Sequence, residues 1–158
     1  MTGASLSHNY ISTRLSVALD SRLSEKGCAV YTSDMRVQVE EEGTYTYPDL
    51  VVLCGAPRLR PYAEQDTLQN PTLLFEILSP STELIDRYQK REQYLHIPSL
   101  LGYFLVAQDK PLIEAHTRSF DDWHYREYAG LDASLHIPTP DCEIPLSEIY
   151  RRVRFKDA

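Results

Sequence analysis

The stretch Thr72 to Thr82, TLLFEILSPST, constrains the fold of this chain more than any other. Leu73, Leu74 and Phe75 lead into Glu76, Ile77 and Leu78 follow it, and Ser79-Pro80-Ser81-Thr82 closes the run as a turn. A continuous apolar run ending in a turn reads as a strand buried on both faces. A lone ionised carboxylate in such a strand costs several kcal/mol or takes up a proton. Glu76 therefore demands a partner, and the rest of the sequence has to supply it.

The flanking elements follow from periodicity. Ile11, Leu15, Leu19 and Leu23 recur every four residues between Ser7 and Lys26, which predicts an amphipathic helix with Gly27 as its C-cap. Strands are expected at Ala29–Tyr31, Met35–Val39 and Pro48–Gly55, with Glu40-Glu41-Glu42-Gly43 as a turn. The polar, proline-containing segment from Ala56 to Pro71 reads as a surface loop. Ser79 or Ser81 is placed to cap a helix over about Thr82–His96, which Pro98 stops. Leu101–Ala107, Leu112–Arg118 and Trp123–Tyr128 read as strands joined by hairpin turns, and the proline-rich tail reads as irregular, ending in a short helix near Leu146–Tyr150. The sum is an α/β domain bordering on α+β, built on a single sheet and occupying residues 1–158 as one unit.

Asp49, at the head of one buried strand, gives Glu76 a companion on the next. Successive strands usually pair or lie near one another, so the two carboxylates are expected to face each other. Two such groups ionise together only with positive charge between them, and a hard divalent cation with oxygen ligands supplies it. Asp86, Lys90 and Tyr94 fall at i, i+4 and i+8 of the following helix and share a face that turns back toward the carboxylates. A lysine there positions or deprotonates an attacking water and stabilises a phosphorane-like transition state.

With Pro48-Asp49 followed by Glu76-Ile77-Leu78, the chain resembles the PD-(D/E)XK nucleases, with Leu78 in the usual lysine position. The strings FEILSPSTELIDRYQKREQYL and LGYFLVAQD, with MTGASLSHNYIS, SDMRV and IPLSEIY, closely resemble the Uma-two (Uma2) family of restriction-endonuclease-like proteins. That resemblance spans nearly the whole chain. It implies a restriction-endonuclease-like core, a mixed central sheet flanked by helices, and metal-dependent hydrolysis of DNA phosphodiester bonds. Asp49, Glu76 and Lys90 become the catalytic residues. Asp49, Glu76 and the Ile77 carbonyl become ligands for Mg²⁺, with Mn²⁺ as a substitute, and Lys90 replaces the lysine missing at Leu78. Ser79, Asp86, Tyr94 and His8 are expected to surround them. The family's usual pattern has an acidic N-terminal segment ahead of the Met-Thr-Gly-Ala-Ser stretch, and this sequence is expected to lack it. DNA and a second copy of the chain, as a homodimer, are the implied partners.

Composition bears on the same question. A formal net charge of −7 opposes non-specific coating of nucleic acid, which requires lysine and arginine, although a local basic groove is compatible with it. The absence of a signal-peptide pattern or a long apolar run predicts a cytoplasmic protein that does not enter the membrane. Cys28, Cys54 and Cys142 form no metal-binding spacing and are expected as buried reduced thiols. A metal-dependent endonuclease is thus the leading reading. A catalytically weak or inactive nuclease fold, kept as an interaction or regulatory module, is the alternative.

Overall fold

The computed structural model describes residues 4–41, 43–62, 65–80 and 82–156. Helix α1, Leu6–Leu23, begins at Ser5, whose side chain accepts the His8 N–H at 3.0 Å. Ile11, Leu15, Ala18, Leu19 and Leu23 form its buried stripe, as their spacing predicts. A 3₁₀ turn, Ser24–Lys26, ends it at Gly27, which adopts φ 78°. That left-handed conformation suits a residue without a Cβ.

Twelve strands follow among the described residues: β1 (Cys28–Tyr31), β2 (Arg36–Glu40), β3 (Thr44–Thr46), β4 (Leu50–Cys54), β5 (Leu59–Tyr62), β6 (Gln65–Leu68), β7 (Leu73–Ile77), β8 (Gly102–Val106), β9 (Leu112–Ser119), β10 (Asp122–Ala129), β11 (Ser134–Ile137) and β12 (Cys142–Pro145). The main sheet has the order β1-β4-β7-β8-β9-β10. Only β7 and β8 run parallel within it, so their connection must cross over the sheet. That crossover is a π-helical segment, Ile85–Lys90, continued by α2, Arg91–Tyr94. We refer to these two together as the site helix. A second sheet, β3-β2-β6-β5, and the β11–β12 hairpin complete the strands, and α3 (Leu146–Ile149) closes the chain's ordered elements. The result is the mixed sheet flanked by helices that the sequence implies.

The main sheet separates two apolar clusters. Leu73, Phe75 and Ile77 point to one side, against α1, α3 and the β11–β12 hairpin. Leu74 and Leu78 point to the other, among Val37, Val39 and Leu68 of the second sheet and Tyr94, Ile97 and Tyr103. Alternation along β7 puts Glu76 on this second side. Both faces of the strand are covered, so the expectation of full burial holds.

The structure corrects five expectations. The described strands form three sheets and not the single sheet expected, because β2, β3, β5 and β6 pair among themselves and β11 with β12. The segment 56–71 is not a surface loop, because β5 and β6 pair antiparallel and β6 adds parallel to β2. Thr67 and Leu68 are fully buried there. Two buried residues are too few to show as a period in the sequence, and Pro61 is tolerated because β5 is an edge strand. The tail is not irregular either: Leu135 and Ile137 pair with Ile144 and Cys142 and bury one face of a hairpin. The expected helix over 82–96 is π-helical through its first half. Finally, Cys28 and Cys54 form a disulfide and are not reduced thiols. The antiparallel register sets them directly opposite with Cα atoms 4.0 Å apart, a juxtaposition their spacing of 26 residues cannot reveal. Cys142 is a free, buried thiol as expected. Glu42 of the predicted turn and Ser81 of the predicted cap lie outside the described residues. Among the described residues no helix is long and apolar enough to cross a membrane.

Gly102 opens β8 where the core is tightest. A Cβ there would meet the Phe104 ring at 2.7 Å and Leu73 Cδ2 at 2.9 Å, beside the stacked Phe75–Phe104 rings. Gly102→Ala is therefore expected to lower the unfolding free energy by about 1–3 kcal/mol, read as an earlier urea midpoint with an unchanged slope.

Candidate active site

β4 and β7 pair antiparallel with Leu50 opposite Phe75, which carries Asp49 alongside the Glu76–Ile77 end of β7. Asp49 Oδ2 accepts the Ile77 N–H at 2.7 Å, and its Oδ1 lies 3.2 Å from His8 Nε2 on the first turns of α1. The two contacts fix the carboxylate on both oxygens while leaving each a further acceptor position.

Glu76 is 3% exposed. Its Oε1 accepts from Lys90 Nζ at 3.2 Å and from the Tyr94 hydroxyl at 3.0 Å. Thr46 Oγ1 lies 2.9 Å from the Tyr94 oxygen. Tyrosine has a single O–H proton and gives it to Glu76, so Thr46 is the donor in that contact. The Oε2 atom of Glu76 has no hydrogen-bond partner among the described residues. Asp86, also buried, holds Lys90 Nζ at 2.9 Å through its Oδ1. The Tyr103 hydroxyl donates to the Asp86 backbone carbonyl at 2.8 Å and pins the π-helical segment to the sheet. Widened segments of this type recur at functional sites.

Charge is scarce on the positive side. Burial pushes the Glu76 carboxyl up to about 8; Lys90 pulls it down, while Asp49 and Asp86 push it higher. Burial alone would lower the Lys90 ammonium, but Glu76 and Asp86 together hold it above its ordinary value. Burial likewise raises the Tyr94 hydroxyl, with the Glu76 charge adding to it, so Tyr94 stays a protonated donor.

These groups line a cleft of about 440 Å³ with His8, Tyr47, Ser79 and Gln108 at its walls. The structure thus brings together Asp49, Glu76, Ile77, Asp86, Lys90 and His8. Ser79 borders the cleft, its hydroxyl 2.7 Å from that of Thr82 and its carbonyl accepting the Glu83 N–H at the entry to the site helix. Tyr94 stands apart from the cleft wall: it is wholly buried behind Glu76 and reaches only that carboxylate. Leu78, in the usual lysine position, packs in the apolar cluster. Sequence reasoning missed Thr46, Tyr47 and Gln108. Thr46 and Tyr47 immediately precede Pro48-Asp49, but β3, which ends at Thr46, is three residues long and carries no period of its own, and Tyr47 follows it outside any strand.

The donor set suits a hard cation. Asp49 and Glu76 offer carboxylate oxygens from adjacent strands, one of them without a protein partner, in a site short of positive charge. No cluster of three or more Asp, Glu, His or Cys side chains arranged to hold a metal occurs among the described residues. Magnesium, which commonly takes one or two carboxylates and fills its shell with water and phosphate oxygens, fits this set better than zinc or calcium.

Comparison with known proteins places the chain in a family and a fold. The profile of the Uma2 family, described as "Putative restriction endonuclease", matches residues 1–146. An uncharacterized protein of Synechocystis sp. strain PCC 6803 is 35% identical over 156 residues, covering 98% of this chain and 80% of its own. A second uncharacterized protein from the same strain is 31% identical over 138 residues, covering 87% and 77%. A crystal structure described as "a putative nuclease belonging to DUF820" from Anabaena variabilis superposes with a TM-score of 0.76 at 14% identity, over 93% of this chain and 82% of that one. At that identity the likeness shows the fold, a restriction-endonuclease-like core, and nothing finer. The chain belongs to the Uma2 family.

Proposed function

We propose that this protein is a magnesium-dependent endonuclease that hydrolyses DNA phosphodiester bonds with a metal-activated water. The observation that carries the reading is the pair of carboxylates on β4 and β7, Asp49 and Glu76, with Glu76 held from one side by Lys90 and Tyr94 and open on Oε2. Family and fold support a nuclease; the metal, the substrate and the water are inferences from that constellation. Asp49 and Glu76 would hold the cation, which would supply a water of lowered pKa and charge neutralisation for the scissile phosphate.

The chain's own residues have separable roles in this scheme. Asp49 is oriented by the Ile77 N–H and His8. Tyr94, backed by Thr46, fixes the rotamer of Glu76 so that Oε2 faces the cleft. Lys90 is already salt-bridged to two carboxylates and holds its proton firmly, so it serves as a fixed positive charge beside the phosphate and not as the base that deprotonates water. Asp86 aims it. The Ile77 carbonyl is a further oxygen ligand in this proposal. One such centre cuts one strand, and two-strand cleavage would be the work of a homodimer. We place the protein in the cytoplasm, where it meets DNA; the Cys28–Cys54 bond is unusual for that compartment.

Supercoiled plasmid incubated with the protein and Mg²⁺ or Mn²⁺ should be nicked. Glu76→Gln and Lys90→Ala should each slow nicking by about 10²-fold or more, while His8→Ala should slow it less. Absence of nicking with either metal, or equal nicking by the variants, would sink the enzyme reading and leave the interaction module in its place.

The charge state of Glu76 can be checked without any metal. Its folded pKa lies above the unfolded value, so between roughly pH 4.5 and pH 8 the folded protein holds a proton that the unfolded chain has lost. This group's contribution therefore falls as pH rises through that window, with a slope of at most about 1.4 kcal/mol per pH unit, and is level above it. Urea unfolding in chelator across that range should show the decline in wild type and lose this share of it in Glu76→Gln.

A further inference from the structure

On the far side of the site helix from the carboxylates lies a second cleft, of about 470 Å³. Its walls include Arg87, Tyr88 and Arg91 of the site helix and His116, Trp123 and Tyr125 of β9 and β10. Its floor continues the face that bears Glu76: Leu105 sits beside Glu76 across β7–β8, and Tyr103, His116 and Tyr125 follow one another across β8, β9 and β10. Two strand spacings, about 10 Å, separate the β7 and β9 backbones.

The cations in this cleft are not equally engaged. Arg87 is bound to Glu114 and to Glu83. Arg118, which lines a neighbouring cleft on the other side of Trp123 with its guanidinium 4.6 Å from that ring's centre, donates to the carbonyls of Leu95 and Pro98. Arg91 differs. It is half-buried, its Nε is wholly buried, and it has neither an ion pair nor a hydrogen bond among the described residues. His116 is 6% exposed and lines the same cleft, and its ring nitrogens likewise have no hydrogen-bond partner among the described residues. Its contacts are the rings of Tyr103 and Tyr125. The desolvated, unpaired Nε–H of Arg91 is costly unless an acceptor completes it, and the imidazole of His116 lines the same cleft. The carboxylate that lines this cleft, Glu114, is taken up by Arg87 and the Tyr125 hydroxyl and makes no ion pair with Arg91 among the described residues.

The geometry points to a binding site for a nucleoside phosphate, with the phosphate on Arg91 and His116 and the base against the rings of Tyr88 and Trp123. Arginine's planar fork matches phosphate oxygens two at a time, and a neutral imidazole supplies one further N–H. Burial and the neighbouring arginines keep His116 in that neutral form. Tyr88 is 59% exposed and offers a ring face, which stacks on any base. The phosphate has two possible sources: a free nucleotide, or a nucleotide in a strand that also crosses the carboxylates. The second source rests on the nuclease reading; the first does not.

Trp123 is the sole tryptophan, so its fluorescence reports this cleft directly. The full-length protein, in chelator, is titrated with inorganic phosphate, deoxyadenosine monophosphate and a short single-stranded oligonucleotide. A saturable change with the monophosphate or the oligonucleotide is expected, weaker with phosphate alone. Arg91→Gln and His116→Gln should each weaken it about tenfold or more, with the urea midpoint of each variant confirming that it is folded. Saturation by the monophosphate assigns a free nucleotide, and saturation by the oligonucleotide alone assigns a strand. No saturable change with any of the three, or unaltered binding by folded Arg91→Gln, would overturn the site. Intact nucleotide binding in a protein that nicks no DNA would remove only the nuclease reading. Nicking without nucleotide binding would remove only this one.

Discussion

The hydrogen bonds that the Tyr94 hydroxyl and the Lys90 ammonium give to Glu76 are the contacts on which the rest of the arrangement depends. They join three separate pieces of chain. Glu76 belongs to the main sheet, Lys90 and Tyr94 to the crossover between β7 and β8, and Thr46, which donates to Tyr94, to the second sheet. Without them the carboxyl would stand unpaired in the apolar layer formed by Leu74, Leu78 and Tyr103. A buried polar group of that kind is expensive to orphan and rigid when satisfied. The crossover is therefore set by the carboxylate as much as by its own apolar residues, and the Tyr103 bond to the Asp86 carbonyl adds a second anchor.

That arrangement leaves the site electrically incomplete. Glu76 and Asp86 share the single Lys90 ammonium, while Asp49 meets only the His8 ring and the Ile77 N–H among the described residues. Burial answers part of the imbalance by favouring a protonated Glu76. Such an acid is held at a cost, because both donors serve Oε1 and a proton on Oε2 has no acceptor among the described residues. A divalent cation of the kind proposed above would resolve the conflict from the Oε2 side.

Some of this was legible in the sequence because the signals are local. Ile11, Leu15, Leu19 and Leu23 declare α1, and the apolar run around Glu76 declares a strand covered on both faces. Asp49 and Glu76 could be paired because neighbouring strands tend to meet. The i, i+4 relation of Asp86 and Lys90 survives even though the backbone is π-helical there, since the side chains are long enough to span the wider turn. What stayed hidden is non-local. The second sheet rests on Thr67 and Leu68 meeting Arg36 and Val37, a pairing with no trace in the composition of 56–71. The Cys28–Cys54 bond depends on register, and the Thr46 contact depends on where a three-residue strand is laid down.

The site helix sorts the chain's charge in a way its sequence alone does not disclose. Arg87, Lys90 and Arg91 lie within five positions, yet they face different surroundings. Lys90 is held by Glu76 and Asp86, and Arg87 by Glu83 and Glu114. Only Arg91 of the three is left without a carboxylate among the described residues. In a protein of net charge −7, general attraction for an anion is weak, so any anion recognised must be recognised locally. Pairing two cations and sparing the third does this. The field is cancelled at Lys90 and Arg87 and kept at Arg91, in a cleft walled by Tyr88, Trp123 and Tyr125. A helix built to hold one buried carboxylate on its inner side thereby presents a single uncompensated guanidinium on its outer one.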